Sequence, residues 1–220
     1  MTDVTHDISD VRRQVGTRTF KAGEARVVTV TRSYDAPLDD VWDACTNPER
    51  IPRWLLPVSG ELRLGGRYQL EGNAGGVVER CEPPTSFSAT WEYGGETSWI
   101  ELNLTAEEGG TRFELQHIAH VDDTKWAEFG PGAVGVGWDL MVRGLSLHLA
   151  SGAAVDAKKF MAWMGSDEGR RFMTSSSEAW YAANVAGGED EKTAREAADR
   201  TTAAYTAADE GEGPGQGDAG

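Results

Sequence analysis

The sequence contains little cysteine and no long apolar run. Its 220 residues include two cysteines, Cys45 and Cys81, too few for a disulfide framework and without the spacing of a metal site. The polar, acidic start MTDVTHDISD does not resemble a signal peptide. No apolar stretch approaches the roughly 20 residues of a membrane-spanning helix. We therefore expect a cytoplasmic protein with reduced thiols, no membrane segment and no metal site.

Positive charge is also scarce. The chain has 21 Lys and Arg against 36 Asp and Glu, a formal net charge of −15. Nucleic acids and anionic membranes are bound by basic surfaces, so neither is expected as a partner. The glycine pairs Gly65-Gly66 and Gly75-Gly76 precede no helical pattern, which indicates hairpin turns and not nucleotide-binding loops. No Ser-His-Asp order is present, and we expect no cofactor.

The most prominent feature is a helical pattern from Phe129 to Ala150, FGPGAVGVGWDLMVRGLSLHLA. Apolar residues recur in steps of three and four and form one stripe along this helix; they are Val134, Trp138, Met141, Leu145 and Leu149. Further apolar residues widen the stripe, so the helix should be largely buried. Pro131 suits its first turn and Gly152 its end.

Four glycines interrupt the same helix, at Gly132, Gly135, Gly137 and Gly144. Each costs an isolated helix roughly 1 kcal/mol relative to alanine. The pattern therefore predicts a helix that other elements surround and approach closely. It leaves open whether the helix is only a core element or also lines a ligand cavity.

The chain before this helix has mainly β character. A strand is predicted from Glu24 to Tyr34, followed by a helix after Pro37 and a short helix that contains Ile51, Trp54 and Leu55. Alternating segments separated by glycine turns from 59 to 120 predict an antiparallel meander. With six or seven strands and one long helix, the fold class is α+β. Residues 1–22 show no clear period, and we expect a flexible lead-in there.

The composition changes after Gly152. Three helical patterns continue to about residue 207, and they carry side chains too apolar to face water: Phe160, Met161, Met164, Phe172, Trp180 and Tyr181. We predict that they pack on the sheet or on a partner, in a homodimer or with another protein. The predicted organisation is a domain at 23–152, a helical extension at 153–207 and a low-complexity, disordered tail at 208–220.

Several motifs in order resemble a known family. They are YDAPLDDVWDACTNPERIPRWL, GGRYQLEG, VVERCEPPTSFSATWEY, the strand end ELQHIAH, and the pair Gly137-Trp138. Together, from about Ala25 to Ser151, they resemble the family named for the activator of Hsp90 ATPase homologue, within the START/Bet v1-like superfamily. The resemblance implies a helix-grip fold, in which a curved antiparallel sheet holds a long C-terminal helix with a cavity between them.

If the helix lines a cavity, the wall should come from alternate strand positions and from the helix stripe. We expect a ligand-binding wall of Trp54, Tyr68, Trp91, Tyr93, Trp99, His117, Trp138 and Met141. In the family a histidine usually stands near the end of the last strand, where this chain has His117. Together with Glu101 or Glu79 it could act as general acid and base, although a purely structural histidine is the favoured interpretation.

Three functions remain open from the sequence. The first is binding of a small hydrophobic or aromatic ligand in the cavity between sheet and helix. The second is a cyclase or hydrolase that uses the same cavity through His117 and a carboxylate. The third is a chaperone or regulatory partner protein that binds other chains through the helices at 153–207. A fold of this kind does not decide among them.

Overall fold

The structure, a computed structural model, describes residues 4–207. The strands are β1 (Arg12–Phe20), β2 (Gly23–Tyr34), β3 (Val58–Gly60), β4 (Arg67–Leu70), β5 (Gly75–Glu82), β6 (Ser86–Tyr93), β7 (Glu96–Glu107) and β8 (Gly110–Ala119). The helices are α1 (Val4–Ser9), α2 (Leu38–Thr46), α3 (Asp123–Phe129), α4 (Gly132–Ser151), α5 (Ala157–Met164), α6 (Asp167–Ala186) and α7 (Glu191–Thr206). The disordered tail predicted at 208–220 lies outside the described residues.

All eight strands form one antiparallel sheet in the order β1-β2-β8-β7-β6-β5-β4-β3. Strands β3 to β8 are the predicted meander, and β2 pairs with β8, the last strand of that meander. Gly94 and Gly95 join β6 to β7 with φ of 59° and 78°, a left-handed geometry that glycine adopts easily. The sheet and the long helix α4 confirm the predicted α+β helix-grip fold.

The prediction of a flexible lead-in is wrong for residues 12–20, which form β1. This strand has no buried residue, so it lacks the apolar alternation by which a strand is identified in a sequence. It is an edge strand that packs against both the extension and α4: Val15 contacts Gly187 of the extension, and Arg13 binds Asp139 of α4. The preceding helix is anchored by Asp7, which contacts Arg143 and lies 3.7 Å from Arg32.

The short helix predicted around Ile51 and Trp54 is only a 3₁₀ turn over Ile51–Arg53. Pro52 fixes one backbone angle and removes a donor, and Trp54 leaves the helical region with φ −142°. The Trp54 indole then donates to the carbonyl of Ala44 in α2, at 2.9 Å. This bond holds the turn against the preceding helix.

Helix α4 lies between the sheet on one side and α6 and α7 on the other. Its glycines permit close approach, as the sequence predicted. A Cβ at Gly135 would collide with the Trp180 ring of α6, and one at Gly144 would lie 2.6 Å from the carbonyl oxygen of Trp54. The helix ends at Gly152, whose φ of 64° is the left-handed geometry of a helix stop.

The extension packs on its own chain. Phe172 and Trp180 are each 1% exposed and belong to the main hydrophobic core. A buried carboxylate fixes the contact: Asp139 of α4 accepts from Ser176, from Trp180 Nε1 at 3.1 Å and from Arg13 Nε at 2.9 Å. Burial raises the pKa of Asp139, while these donors act in the opposite direction.

No helix in the described part of the chain has the length and apolarity needed to cross a membrane. On the outer side of the extension, Met161 of α5 remains 58% exposed. Binding of a second copy or of another protein through the helices at 153–207 stays a prediction.

Candidate functional site

A cavity of about 550 Å³ lies between the sheet and α4. Its wall is mostly aliphatic and aromatic. It is drawn from five regions: α2 with the segment that follows it, the concave face of the sheet, the loops on either side of β4, the first half of α4, and α7. The lining residues from the strands are Val58, Tyr68, Leu70, Val78, Phe87, Ala89, Trp91, Tyr93, Ile100, Leu102, Phe113, Leu115 and His117. The volume is within the usual range of small-molecule sites.

Strand alternation explains which sheet residues reach the cavity. On β6 the lining residues are Phe87, Ala89, Trp91 and Tyr93, and on β8 they are Phe113, Leu115 and His117. Each set follows the two-residue period that places side chains on one face. The apolar-polar alternation in the sequence therefore builds the cavity wall directly.

Most of the predicted binding residues lie where expected. Seven line the cavity: Trp54, Tyr68, Trp91, Tyr93, His117, Trp138 and Met141. Trp91 and Trp138 form an aromatic corner, with ring centroids 5.0 Å apart. Tyr93 lines the cavity and is also 49% exposed, so the cavity meets solvent beside it.

Three predicted residues are not in the cavity, namely Trp99, Glu101 and Glu79. Trp99 and Glu101 lie on the convex face of β7, because Ile100 is the residue that pairs with His117 and shares its face. Glu101 binds Arg18 of β1 at 2.8 Å, and Glu79 binds Lys21 at 2.8 Å.

Trp99 belongs to a small apolar cluster on that convex face, where its ring lies 5.2 Å from Phe20. The acid-base pair of His117 with either glutamate is therefore incorrect, since the groups occupy opposite faces of the sheet. The sequence of β7 did indicate the correct face, because Ile100 and Leu102 alternate with the more polar residues Glu101 and Asn103.

His117 is held by hydrogen bonds at both ring nitrogens. The indole of Trp138 donates to Nδ1 at 3.0 Å, and an indole N–H can only donate. Nε2 therefore carries the proton and donates to Ser98 Oγ at 2.8 Å, and Ser98 in turn donates to the carbonyl of Trp91 at 3.1 Å. Burial lowers the pKa of His117 to about 4, so the ring is neutral at pH 7.

Two other polar groups of the wall also donate within the protein. Tyr68 donates to the carbonyl of Thr90 at 2.7 Å, and Trp54 donates to Ala44. Burial raises the pKa of the Cys45 thiol to about 12 and raises that of Tyr68 as well. Both groups are therefore neutral at pH 7.

No Asp, Glu, Lys or Arg is among the described residues that line the cavity. Within residues 4–207, no cluster of three or more His, Cys, Asp or Glu could hold a metal ion. The cavity is therefore a neutral, largely apolar space inside a strongly acidic protein.

Among the wall residues that sequence reasoning missed, one belongs to the helical extension. Tyr205 of α7 lines the cavity beside Ala133, Val134 and Gly137. The only available signal was a single aromatic residue in an otherwise alanine-rich helix, and nothing in its periodicity indicated a contact with a distant cavity.

Proteins of known structure share this fold. CalU16 from Micromonospora echinospora is 38% identical in its crystal structure, with a TM-score of 0.64 over 79% of this chain and 97% of that one. Its solution structure gives 34% identity and the same TM-score, with 81% and 97% covered. The crystal structure of protein MLL2253 from Mesorhizobium loti shares the fold at 24% identity and a TM-score of 0.51, over 57% of this chain and 97% of that one. No match is found among the curated proteins.

The match to CalU16 extends beyond the helix-grip domain. Because 79% of 220 residues is about 174, at least 24 aligned residues must lie after position 150. Part of the helical extension is therefore common to both proteins. The family model for activator of Hsp90 ATPase homolog 1-like proteins matches residues 35–150, and the chain belongs to this family.

Proposed function

We propose that the protein binds a small, neutral, hydrophobic or aromatic ligand in the cavity between the sheet and α4. The observation that carries this proposal is the cavity itself, about 550 Å³ of space with a mainly apolar wall. A packed core leaves few voids larger than a water molecule. A space of this size therefore fits a guest molecule better than it fits a purely structural interior.

The chemistry of the wall restricts the ligand. A charged group buried without a partner carries a large desolvation cost. No Asp, Glu, Lys or Arg stands among the described lining residues to offset it, and His117 is neutral at pH 7. The hydroxyl of Tyr68 and the imidazole N–H of His117 already donate to protein atoms. Binding should therefore depend on apolar contact and on aromatic packing against Trp91 and Trp138.

The alternative enzymatic function receives no support from the residues first considered. Glu79 and Glu101 are engaged with Lys21 and Arg18 on the convex face. His117 has both nitrogens engaged and a pKa of about 4, so it is not poised as a general base near pH 7.

Titration with the neutral fluorophore N-phenyl-1-naphthylamine tests the proposal. Met141 faces the cavity from α4, so Met141→Trp should fill part of it and weaken binding at least about tenfold, a loss of about 1.4 kcal/mol. The matched control is Met161→Trp, the same exchange at an exposed position of α5, which should bind as the wild type does. Absence of saturable binding to the wild type, or equal affinity in Met141→Trp, would overturn the proposal.

A further inference from the structure

The helical extension supplies part of the cavity wall. Tyr205 lies in the last turn of α7 and is the one aromatic residue of that helix. It lines the cavity beside Ala133, Val134 and Gly137, which belong to the first two turns of α4. The extension is thus not only a cover for the outer side of α4.

Two contacts fix the Tyr205 ring at this place. Its hydroxyl donates to the carbonyl of Ala133 at 2.9 Å. A Cβ at Gly137 would meet this hydroxyl at 3.5 Å, an ordinary van der Waals contact, so the hydroxyl lies close against the backbone of α4. Burial raises the pKa of Tyr205 to about 12, and the group therefore remains a neutral donor at pH 7.

The helix that carries Tyr205 is itself anchored where α3 ends. Arg200 donates through Nε to the carbonyl of Glu128 at 2.5 Å and through Nη2 to that of Ala127 at 2.8 Å. Thr201 donates to the carbonyl of Phe129 at 2.9 Å. These bonds hold α7 one turn before Tyr205, so the ring is a positioned part of the wall.

We propose that Tyr205 is a specificity-determining residue, which closes the cavity at the first two turns of α4 and limits the length of the ligand. The inference rests on the proposed ligand-binding function. Shortening this side chain should open the space of one aromatic ring at that end, whereas the loss of the hydroxyl alone should leave the length of the cavity unchanged.

Competition of straight-chain primary alcohols against bound N-phenyl-1-naphthylamine measures that length. In the wild type, affinity should rise about fourfold per methylene until the chain fills the cavity, and then stop rising. In Tyr205→Ala the rise should continue to a longer alcohol, and in Tyr205→Phe it should stop where it stops in the wild type. Tyr181→Ala is the matched control, because Tyr181 bonds Glu191 and does not line the cavity.

The result that overturns the inference is an unchanged stopping point in Tyr205→Ala with the probe still bound. If Tyr205→Ala does not show the cooperative thermal unfolding of the wild type, Tyr205→Leu is used in its place, because leucine keeps apolar contact with α4. An unchanged stopping point in Tyr205→Leu would equally overturn the inference. Failure of the proposed function looks different, since the wild type itself would then bind no probe or Met141→Trp would bind it equally well.

Discussion

The indole of Trp180 lies directly against the backbone of Gly135, with no space for a methyl group between them. Gly135→Ala should therefore displace α6 from α4 and lower the free energy of unfolding by about 1–3 kcal/mol, the usual cost of overpacking. Urea unfolding followed by far-UV circular dichroism measures this change.

Gly137→Ala is the matched control for that variant. It is the same exchange two residues further along α4, where a Cβ would make only ordinary contact with the Tyr205 hydroxyl. The higher helix propensity of alanine should leave stability unchanged or raise it by up to about 1 kcal/mol. Equal destabilisation by both exchanges would show that the Trp180 contact is not the cause.

The buried His117 should make the fold sensitive to acid. Its pKa is about 4 in the folded protein against 6.5 for an ordinary histidine. As pH falls below 6.5 the unfolded chain takes up the proton first, so stability is lost between pH 6.5 and 4, by about 3 kcal/mol in total. Above pH 6.5 both states are neutral and this group has no effect.

His117→Gln should remove that component of the pH dependence, because an amide can replace both hydrogen bonds of the neutral ring without titrating. The free energy of unfolding is measured for both proteins at several pH values from 7 to 4. His120→Gln retains His117 and should therefore retain the acid-dependent loss. Parallel curves for wild type and His117→Gln would contradict a depressed pKa at this histidine.

Asp139 is the polar centre of the contact between α4 and α6. Asp139→Ala leaves the donors of Arg13, Ser176 and Trp180 without their acceptor, including one buried guanidinium. Removing one member of a buried ion pair costs about 3–5 kcal/mol. Urea unfolding should show this loss, and limited proteolysis should cut the extension faster.

Glu108→Ala is a suitable comparison for Asp139→Ala, because Glu108 lies exposed in the turn between β7 and β8. A substitution at such a surface position should change stability by no more than about 0.5 kcal/mol. If Asp139→Ala proved equally mild, the buried carboxylate would not be what holds the extension in place.

The face assignment of β7 yields a prediction on ligand binding. Glu101 lies on the convex side and pairs with Arg18 at partial exposure, so Glu101→Gln should leave the affinity for N-phenyl-1-naphthylamine unchanged. The loss of a partly exposed ion pair should cost at most about 1 kcal/mol of stability. A large loss of affinity in the fluorescence titration would place this carboxylate at the cavity after all.

Periodicity accounts for what the sequence predicted and for what it did not. Helix α4 and strands β6 and β8 each bury one apolar face in the cavity or core. The period of their apolar residues therefore shows in the sequence which side chains lie on that face. On β7 both faces carry aromatic or aliphatic residues, since Trp99 belongs to its own cluster on the convex side. Because Trp99 is apolar, the sequence prediction assigned it to the cavity face, whereas it lies on the convex face.

Two other features depend on contacts that no local pattern records. Strand β1 is stabilised mainly by pairing with β2 and by the contact with α6, and its only packed apolar side chains are Val15 and Phe20 at partial exposure. Tyr205 reaches the cavity only because α7 folds back across the start of α4, more than 60 residues earlier in the chain. Both follow from tertiary packing alone.

The placement of α4 between two layers also determines where the chain can be divided. The family match ends at residue 150, but the outer groove of α4 at Gly135 and the carboxylate of Asp139 are complete only when Trp180 and Ser176 occupy them. A protein truncated at that boundary would expose the apolar groove and the carboxylate of Asp139 within it, and such an exposed apolar surface is prone to self-association. The folding unit is therefore longer than the recognisable domain.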